Sequence, residues 1–175
     1  ELEISLPREL SAAEQIELVE AFRQQALGAR HPYSLAIHTP KTLDGAVENP
    51  HVHLMLSERV IDERTQQLPA QVFFKRNGAT KDRGWNDQAK VAELRELWEG
   101  LANEALARAG QQARIDRRSL KAQGIDRPAE PKLGHGAQEM RGVLRGSQQP
   151  AGARVQSVLR VRQLRAIEQE RKAVV

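Results

Sequence analysis

The stretch ENPHVHLMLSER, residues 48–59, carries the alternation that decides the fold. Successive side chains of a β-strand point to opposite faces, so residues two apart share a face. His51 and His53 therefore lie together, and the apolar Val52 and Leu54 lie together on the opposite face. Since the apolar face must be buried, the sequence predicts a strand, continuing to about residue 60, that presents two histidines away from the core.

A second alternating run, residues 33–38, precedes this strand, and a long loop ending at Asn49-Pro50 separates the two. We predict that the runs pair as an antiparallel hairpin. The same alternation places His38 on the face of the other histidines and Tyr33 on the apolar face. Tyr33 is therefore predicted to be a core residue that faces away from His38.

The amino-terminal residues predict a strand followed by a helix. Residues 1–6 alternate as a strand already under way, from which we expect that the chain is a fragment whose true start is missing. Ser11 and Glu14 match a capping box, in which each side chain satisfies an unpaired amide at a helix start. The helix is predicted to end near Gly28.

The carboxyl-terminal half predicts a long helix and shorter elements. Apolar spacing that begins at Val91 and Leu94 indicates a helix from about Gln88 to Gly110. A short strand at 113–116 and a short helix at 119–123 are expected after it. The fold class is therefore α+β, an antiparallel sheet with helices packed on one face, plus a carboxyl-terminal basic helix. The predicted domains are a core at 1–125, a proline- and glycine-rich linker at 126–152 and the basic helix at 153–175.

Composition excludes several classes of protein. The 175 residues contain no cysteine, which excludes a disulfide framework and a cysteine-ligated zinc site. No apolar run is long enough to cross a membrane and no signal peptide is visible, so we predict a cytoplasmic protein without membrane insertion. Residues 1–60 carry 5 basic and 9 acidic side chains, net −4, whereas residues 125–175 carry 10 and 5, net +5. This gradient fits either a polyanionic partner or a solvated basic tail.

Three histidines in phase on one face form the candidate site. His38, His51 and His53 would make a divalent-metal site with open coordination positions, because neutral histidine is the commonest nitrogen ligand. The alternative is a surface histidine pair that binds no metal. His31 and His135 are interpreted as ordinary loop residues.

The motifs resemble those of one protein family. Residues 35–38, residues 48–59 and the later Phe74-Lys75-Arg76 are together similar to the MobA/MobL family of plasmid mobilisation relaxases, within the histidine-hydrophobe-histidine (HUH) endonucleases. The similarity continues through 113–118 and 123–125, so it covers about residues 1 to 125.

The resemblance implies a relaxase fold and a DNA-nicking activity. Such enzymes nick and religate single-stranded DNA at a plasmid transfer origin through a 5′-phosphotyrosyl intermediate. His38, His51 and His53 match the family's metal ligands, and the metal would be Mn²⁺ or Mg²⁺, with three imidazoles favouring Mn²⁺. The implied partners are the transfer-origin DNA, accessory relaxosome proteins and a type IV secretion coupling protein.

Two further residues matter for this chemistry. The family's nucleophilic tyrosine lies near the amino terminus, whereas this chain has one tyrosine, Tyr33. We therefore expect the nucleophile upstream of Glu1, so that the chain binds metal and DNA but does not cut. An acidic residue orients a ligand histidine in related enzymes, and Glu3 is the preferred candidate over Glu1; the alternative is an exposed, solvated carboxylate.

A basic and aromatic cluster follows the hairpin. Single-stranded DNA is commonly held by cations along the backbone and by aromatic rings that stack on bases. The candidate DNA-contacting cations are Lys75, Arg76, Lys81 and Arg83, and the interleaved aromatic residues are Phe73, Phe74 and Trp85. At least one of these rings is expected to be a core anchor for the loop instead.

Two other functions remain open from the sequence. One is a non-enzymatic DNA-binding module whose histidines hold a structural metal, although structural zinc usually has four protein ligands. The other is a metal-dependent phosphodiesterase that uses activated water and needs no tyrosine. Asp44 is the one obvious additional carboxylate in the hairpin loop for such an enzyme.

Overall fold

The protein is described by a computed structural model that covers residues 1–40 and 49–126. The chain divides into two compact units, residues 1–117 and residues 118–175. The predicted linker beyond residue 126, the predicted basic helix at 153–175, Asp44 and His135 lie outside the described residues.

The first unit contains a three-stranded antiparallel sheet. Its strands are β1 (Leu2–Ser5), β2 (Tyr33–His38) and β3 (His51–Leu56), in the order β1-β3-β2. The predicted hairpin of β2 and β3 is confirmed, with His38 directly opposite His51. The alternation of each strand therefore produces one face with three histidines, called here the histidine face, and one apolar face, called the core face.

The strand β3 ends four residues earlier than the alternation predicts. Beyond Leu56 the chain bends at Glu58 and changes its pairing partner. Val60 N donates to Thr80 O at 2.8 Å, Asp82 N donates to Glu58 O at 2.7 Å, and Arg59 forms a bridge with Lys81. These residues therefore join β3 to a distant loop instead of extending the sheet.

In the described part of the chain, three α-helices accompany the sheet: α1 (Ala12–Leu27), α2 (Ala70–Phe73) and α3 (Gln88–Arg108), with a 3-10 turn at Arg83–Asn86. The capping box of α1 is confirmed. Glu14 N donates to Ser11 Oγ at 3.3 Å, and Ser11 N donates to Glu14 Oε2 at 2.7 Å. The hydrogen bonds from the Ser11 side chain and backbone hold the pKa of Glu14 below its usual range.

Helices α1 and α3 pack on the core face of the sheet. Val52 and Leu54 are each 1% exposed there, and the rings of Phe22 and Trp98 meet edge to face at 5.4 Å between centroids. Burying this face drives formation of the sheet and leaves the histidines on the side away from the helices. The predicted α+β class, with helices on one face, is confirmed.

The buried stripe of α3 differs in part from the predicted one. Val91 was expected inside but is 45% exposed, and the second half of the helix buries Ala102 and Leu106. Ala102 is 0% exposed, because a small side chain allows the two helices to approach closely.

The short strand predicted at 113–116 and the helix predicted at 119–123 are wrong. The backbone of Ile115 pairs with a side chain instead of a strand: Asn103 Nδ2 donates to Ile115 O at 2.9 Å, and Ile115 N donates to Asn103 Oδ1 at 2.8 Å. Residues 119–123 form a turn, which ends at Gly124 with φ of 74°.

Among the described residues, no helix is long and apolar enough to cross a membrane.

Candidate functional site

The histidine face brings the three predicted ligands together. The ring centroids of His38, His51 and His53 lie 4.9 to 5.2 Å apart. One ring nitrogen from each residue lies within 4.8 Å of the other two. Ala36 is the cross-strand partner of His53, and its small side chain leaves room for the ring of His53 beside that of His38. The geometry therefore fits one divalent ion, and metal binding stays a prediction.

Two of the histidines are held by hydrogen bonds at their Nδ1 atoms. His51 Nδ1 lies 2.8 Å from the carbonyl oxygen of Asn49, and His53 Nδ1 lies 2.7 Å from Glu1 Oε1. Carbonyl and carboxylate oxygens only accept, so each Nδ1 donates, and in a neutral imidazole the lone pair then lies on Nε2. Asn49 adopts φ of 44°, a left-handed conformation that asparagine tolerates. These contacts fix the tautomers that a metal ligand needs.

The carboxylate at His53 belongs to Glu1. Glu3 is the backbone partner of His53 in the β1–β3 register, and both glutamates lie on the histidine face. Glu3 was the predicted partner of His53, but the hydrogen bond is made by Glu1. Glu1 lies two residues before Glu3, and its side chain reaches back to the ring of His53. Alternation identifies both residues and cannot choose between them, because side-chain reach decides the contact.

Tyr33 is not a core residue as predicted. Its side chain is 46% exposed, and the guanidinium carbon of Arg23 lies 5.0 Å from its ring centroid. Tyr33 begins the edge strand β2, so helix α1 covers only one side of its ring. The predicted direction is correct, because Tyr33 shares the core face with Leu35 and Ile37 and lies opposite the histidine face.

His31 has a structural role that the sequence argument missed. It is 5% exposed, and its Nδ1 lies 3.1 Å from Ser57 O and 3.2 Å from Arg59 O. Trp85 Nε1 donates to His31 Nε2 at 3.2 Å. Its partners lie 26 to 54 residues away, so no local pattern around His31 could reveal them.

The predicted DNA-contacting cations lie on residues 75–83, called here the basic loop. All four are exposed. Three of them line a cavity of about 640 Å³, and Lys75 lies outside it. The lining residues are Arg59, Arg76, Gly78, Ala79, Thr80, Lys81 and Arg83. The loop therefore concentrates positive charge on one concave surface, and contact with DNA stays a prediction.

A buried arginine anchors this loop to the strand that carries two of the histidines. Arg59 is 9% exposed and donates from Nη2 to Phe74 O at 3.1 Å and from Nη1 to Ala79 O. Glu58 lies 3.7 Å from Lys81 Nζ and 4.0 Å from Arg83 Nη1. The chain just after β3 thus holds both ends of the loop.

The three aromatic residues of the cluster have different environments. Phe73 is 6% exposed, and Trp85 packs partly buried against the core with Lys90 Nζ 5.2 Å from its ring centroid. Phe74 is 51% exposed. Phe73 and Trp85 are therefore the expected core anchors, and Phe74 is the ring that solvent reaches.

Gly78 is required by the loop's close packing, and we predict that Gly78→Ala damages it. A Cβ atom at Gly78 would come within 3.0 Å of the carbonyl oxygens of Val72 and Phe73. The expected cost is about 1 to 3 kcal/mol of unfolding free energy, measured by urea denaturation. Gly100→Ala is the matched control, because nothing lies within 4 Å of a Cβ there, and it should stabilise α3 by about 0.5 to 1 kcal/mol. Equal stabilities for the two variants would contradict the loop geometry.

The fold and site define an α+β protein with a three-histidine candidate metal centre on its antiparallel sheet. Residues 1–142 match the MobA/MobL family. The chain belongs to this family, so the resemblance seen in the sequence is confirmed.

Several known proteins are similar to the chain. Mobilization protein A of Escherichia coli is 44% identical over 151 residues, covering 81% of this chain and 20% of that protein. A 43 kDa relaxation protein of Salmonella typhimurium is 41% identical over 138 residues, covering 73% of this chain and 37% of that protein. The chain thus spans well under half the length of either relative.

A solved structure gives a further likeness. It comes from work on the molecular basis of vancomycin resistance transfer in Staphylococcus aureus, and it aligns with a TM-score of 0.50 at 30% sequence identity. The alignment covers 67% of this chain and 55% of that chain.

Proposed function

We propose that this chain is the metal-binding core of a plasmid mobilisation relaxase, which nicks and religates single-stranded DNA at a transfer origin. The observation that carries the proposal is the cluster of His38, His51 and His53, whose ring nitrogens lie within 4.8 Å of one another in a member of the MobA/MobL family. A relative described as a relaxation protein supports the same activity.

The three histidines fit a divalent ion that acts on phosphate. His51 and His53 would present Nε2, since their Nδ1 atoms are engaged by Asn49 O and Glu1. When bound, Mn²⁺ or Mg²⁺ would supply positive charge to phosphate oxygens in the transition state. Imidazole nitrogen suits Mn²⁺ better than Mg²⁺, which prefers oxygen ligands. The protein's contribution is to hold the rings in a fixed orientation before substrate arrives.

The attacking group in the proposed reaction is a tyrosine that is not Tyr33. Its hydroxyl gives up a proton and its oxygen forms a bond to phosphorus, while the bond from phosphorus to the 3′ oxygen breaks and that oxygen takes up a proton. One DNA end then carries a free 3′-hydroxyl, and the other stays linked to tyrosine through its 5′ phosphate. Religation reverses these steps. Tyr33 lies on the core face, away from the histidines, and the chain has no other tyrosine. We therefore propose that the nucleophile is supplied by a part of the protein outside these 175 residues.

An open metal site favours catalysis over a structural role. Structural zinc sites usually have four protein ligands, whereas catalytic sites keep a position for substrate. Among residues 1–40 and 49–126, the histidine cluster contains three ligand residues. His38 is exposed and the other two are half-buried, so a DNA phosphate can reach the site.

We also propose that the protein acts in the bacterial cytoplasm, together with accessory relaxosome proteins and a type IV secretion coupling protein.

We expect the chain to bind single-stranded DNA carrying its cognate transfer origin with an affinity that falls as salt rises. Each neutralised phosphate releases counterions, with a slope of about −0.7 in log affinity against log salt for single strands. Replacing Lys75 and Arg76 together by alanine should therefore flatten the slope by about 1.4. Fluorescence anisotropy at several salt concentrations measures it.

The matched control replaces two exposed basic residues outside the loop, Arg64 and Arg108, by alanine. That variant should keep the parent's slope. An unchanged slope for the Lys75 and Arg76 variant would remove both residues from the interface.

A further inference from the structure

Phe74 is an exposed aromatic ring on a rigid base. Its side chain is 51% exposed, and its ring packs against that of the buried Phe73 at 4.9 Å between centroids and 74° between planes. Phe74 N donates to Ala70 O at 3.1 Å, and Phe74 O accepts from Arg59 Nη2 at 3.1 Å. The main chain on both sides of the ring is thus fixed, so a ligand that covers the ring orders little additional structure.

The charged residues nearest to Phe74 along the chain all have one sign. From Thr65 to Lys81 the chain carries three basic residues and no acidic one. Lys75 and Arg76, which directly follow the ring, are both exposed. The centre of a protein–protein interface is usually depleted in charge, and in lysine above all. An exposed ring beside exposed cations instead suits an anionic ligand with flat, apolar faces.

We propose that Phe74 is a stacking platform for one unpaired base of the bound single-stranded DNA. The inference rests on the proposed function and assigns to this ring a contribution separate from that of the cations. Lys75 and Arg76 bind the phosphates on either side of the base, and the ring of Phe74 covers the face of the base itself. The contact has little preference among bases, because every base offers a π-face.

The platform predicts a loss of affinity that does not depend on salt. Phe74→Ala should weaken binding of single-stranded DNA by about 5- to 150-fold, the usual range for one base–aromatic stack. The slope of log affinity against log salt should remain that of the parent, because no phosphate contact is lost. Phe74→Trp should keep the affinity, and fluorescence of its new indole should be quenched on binding.

Val72→Ala is the matched control. Val72 is also exposed, at 39%, and lies on α2, whose C-cap is Phe74, but it has no ring to stack. A set of oligonucleotides, each with one abasic site at a different position, gives a second control. When the missing base is the one that stacks on Phe74, the parent and Phe74→Ala should bind that oligonucleotide with equal affinity. A loss shared by Val72→Ala would indicate an apolar contact of another kind and would overturn the platform.

The outcomes separate the two proposals. If the parent binds no single-stranded DNA, the proposed function fails. If the parent binds and Phe74→Ala binds equally well, the platform fails while the proposed function stands. A change in oligomeric state without a change in DNA affinity would assign Phe74 to a protein contact and overturn the inference. If circular dichroism shows that Phe74→Ala is unfolded, Phe74→Leu is used instead, because leucine keeps the apolar volume without the π-face. Binding of single-stranded DNA by Phe74→Leu as tight as that of the parent would overturn the platform.

Discussion

Replacing His38, His51 or His53 by alanine is expected to lower the affinity of the protein for Mn²⁺ by more than about 100-fold. Loss of a group that merely orients a ligand already costs about 10- to 100-fold, so loss of the ligand should cost more. Isothermal titration calorimetry measures the affinity. In the parent, X-ray absorption should find imidazole nitrogen at about 2.0 to 2.3 Å from the metal.

Met55→Ala is the matched control for this series. Met55 lies on the histidine face next to His53 along β3 and is 58% exposed, but it offers no nitrogen ligand. Its replacement should leave Mn²⁺ affinity unchanged. A variant lacking all three histidines that still bound Mn²⁺ like the parent would show that the metal centre is wrongly assigned.

The same titration distinguishes the two glutamates on the histidine face. Glu1→Gln should weaken Mn²⁺ binding by about 10-fold or more, because the neutral amide supports the Nδ1 proton of His53 less strongly than a carboxylate does. Glu3→Gln should have a smaller effect, since the hydrogen bond at His53 is made by Glu1. The reverse order of effects would restore Glu3 as the orienting residue.

No covalent protein–DNA adduct is expected when residues 1–175 are incubated with a cognate oligonucleotide and Mn²⁺. A longer protein that includes the segment proposed to carry the nucleophile should form the adduct, and Tyr33→Phe in that longer protein should leave the yield unchanged. The chain should form no adduct because Tyr33 lies on the core face, on the opposite side of the sheet from the histidines. Its hydroxyl therefore cannot reach a phosphate bound at the histidine face. A denaturing gel detects the linked species.

Two results would contradict this expectation. An adduct formed by residues 1–175 and lost on Tyr33→Phe would make Tyr33 the nucleophile and would contradict the strand phase. If the longer protein nicked the oligonucleotide without forming an adduct at any time, the result would indicate hydrolysis by activated water. It would favour the phosphodiesterase alternative.

The sheet and the histidine cluster were predictable because both follow from a local period. Alternation in β2 and β3 assigns each side chain to a face, and antiparallel pairing then brings His38 beside His51 without further information. The start of α1 was equally local, since Ser11 and Glu14 satisfy each other's amides within one turn.

Contacts between distant segments could not be predicted in this way. The burial of His31 depends on Trp85 and on carbonyl groups beyond β3, and the end of β3 depends on pairing with residues 80–82. Tyr33 was misjudged because alternation reports the direction of a side chain but not whether its strand lies at an edge. Each of these features requires knowledge of which elements pack side by side.

The anchoring of the basic loop by Arg59 fixes the distance between that loop and β3. Arg59 lies three residues beyond β3, and its guanidinium and backbone hold Phe74, Ala79 and Lys81. The loop cannot shift along β3 without breaking these bonds. In the proposed complex, a constant number of nucleotides would therefore separate the nucleotide bound by the loop from the phosphate beside the histidines. This fixed separation would select which phosphodiester bond is cut.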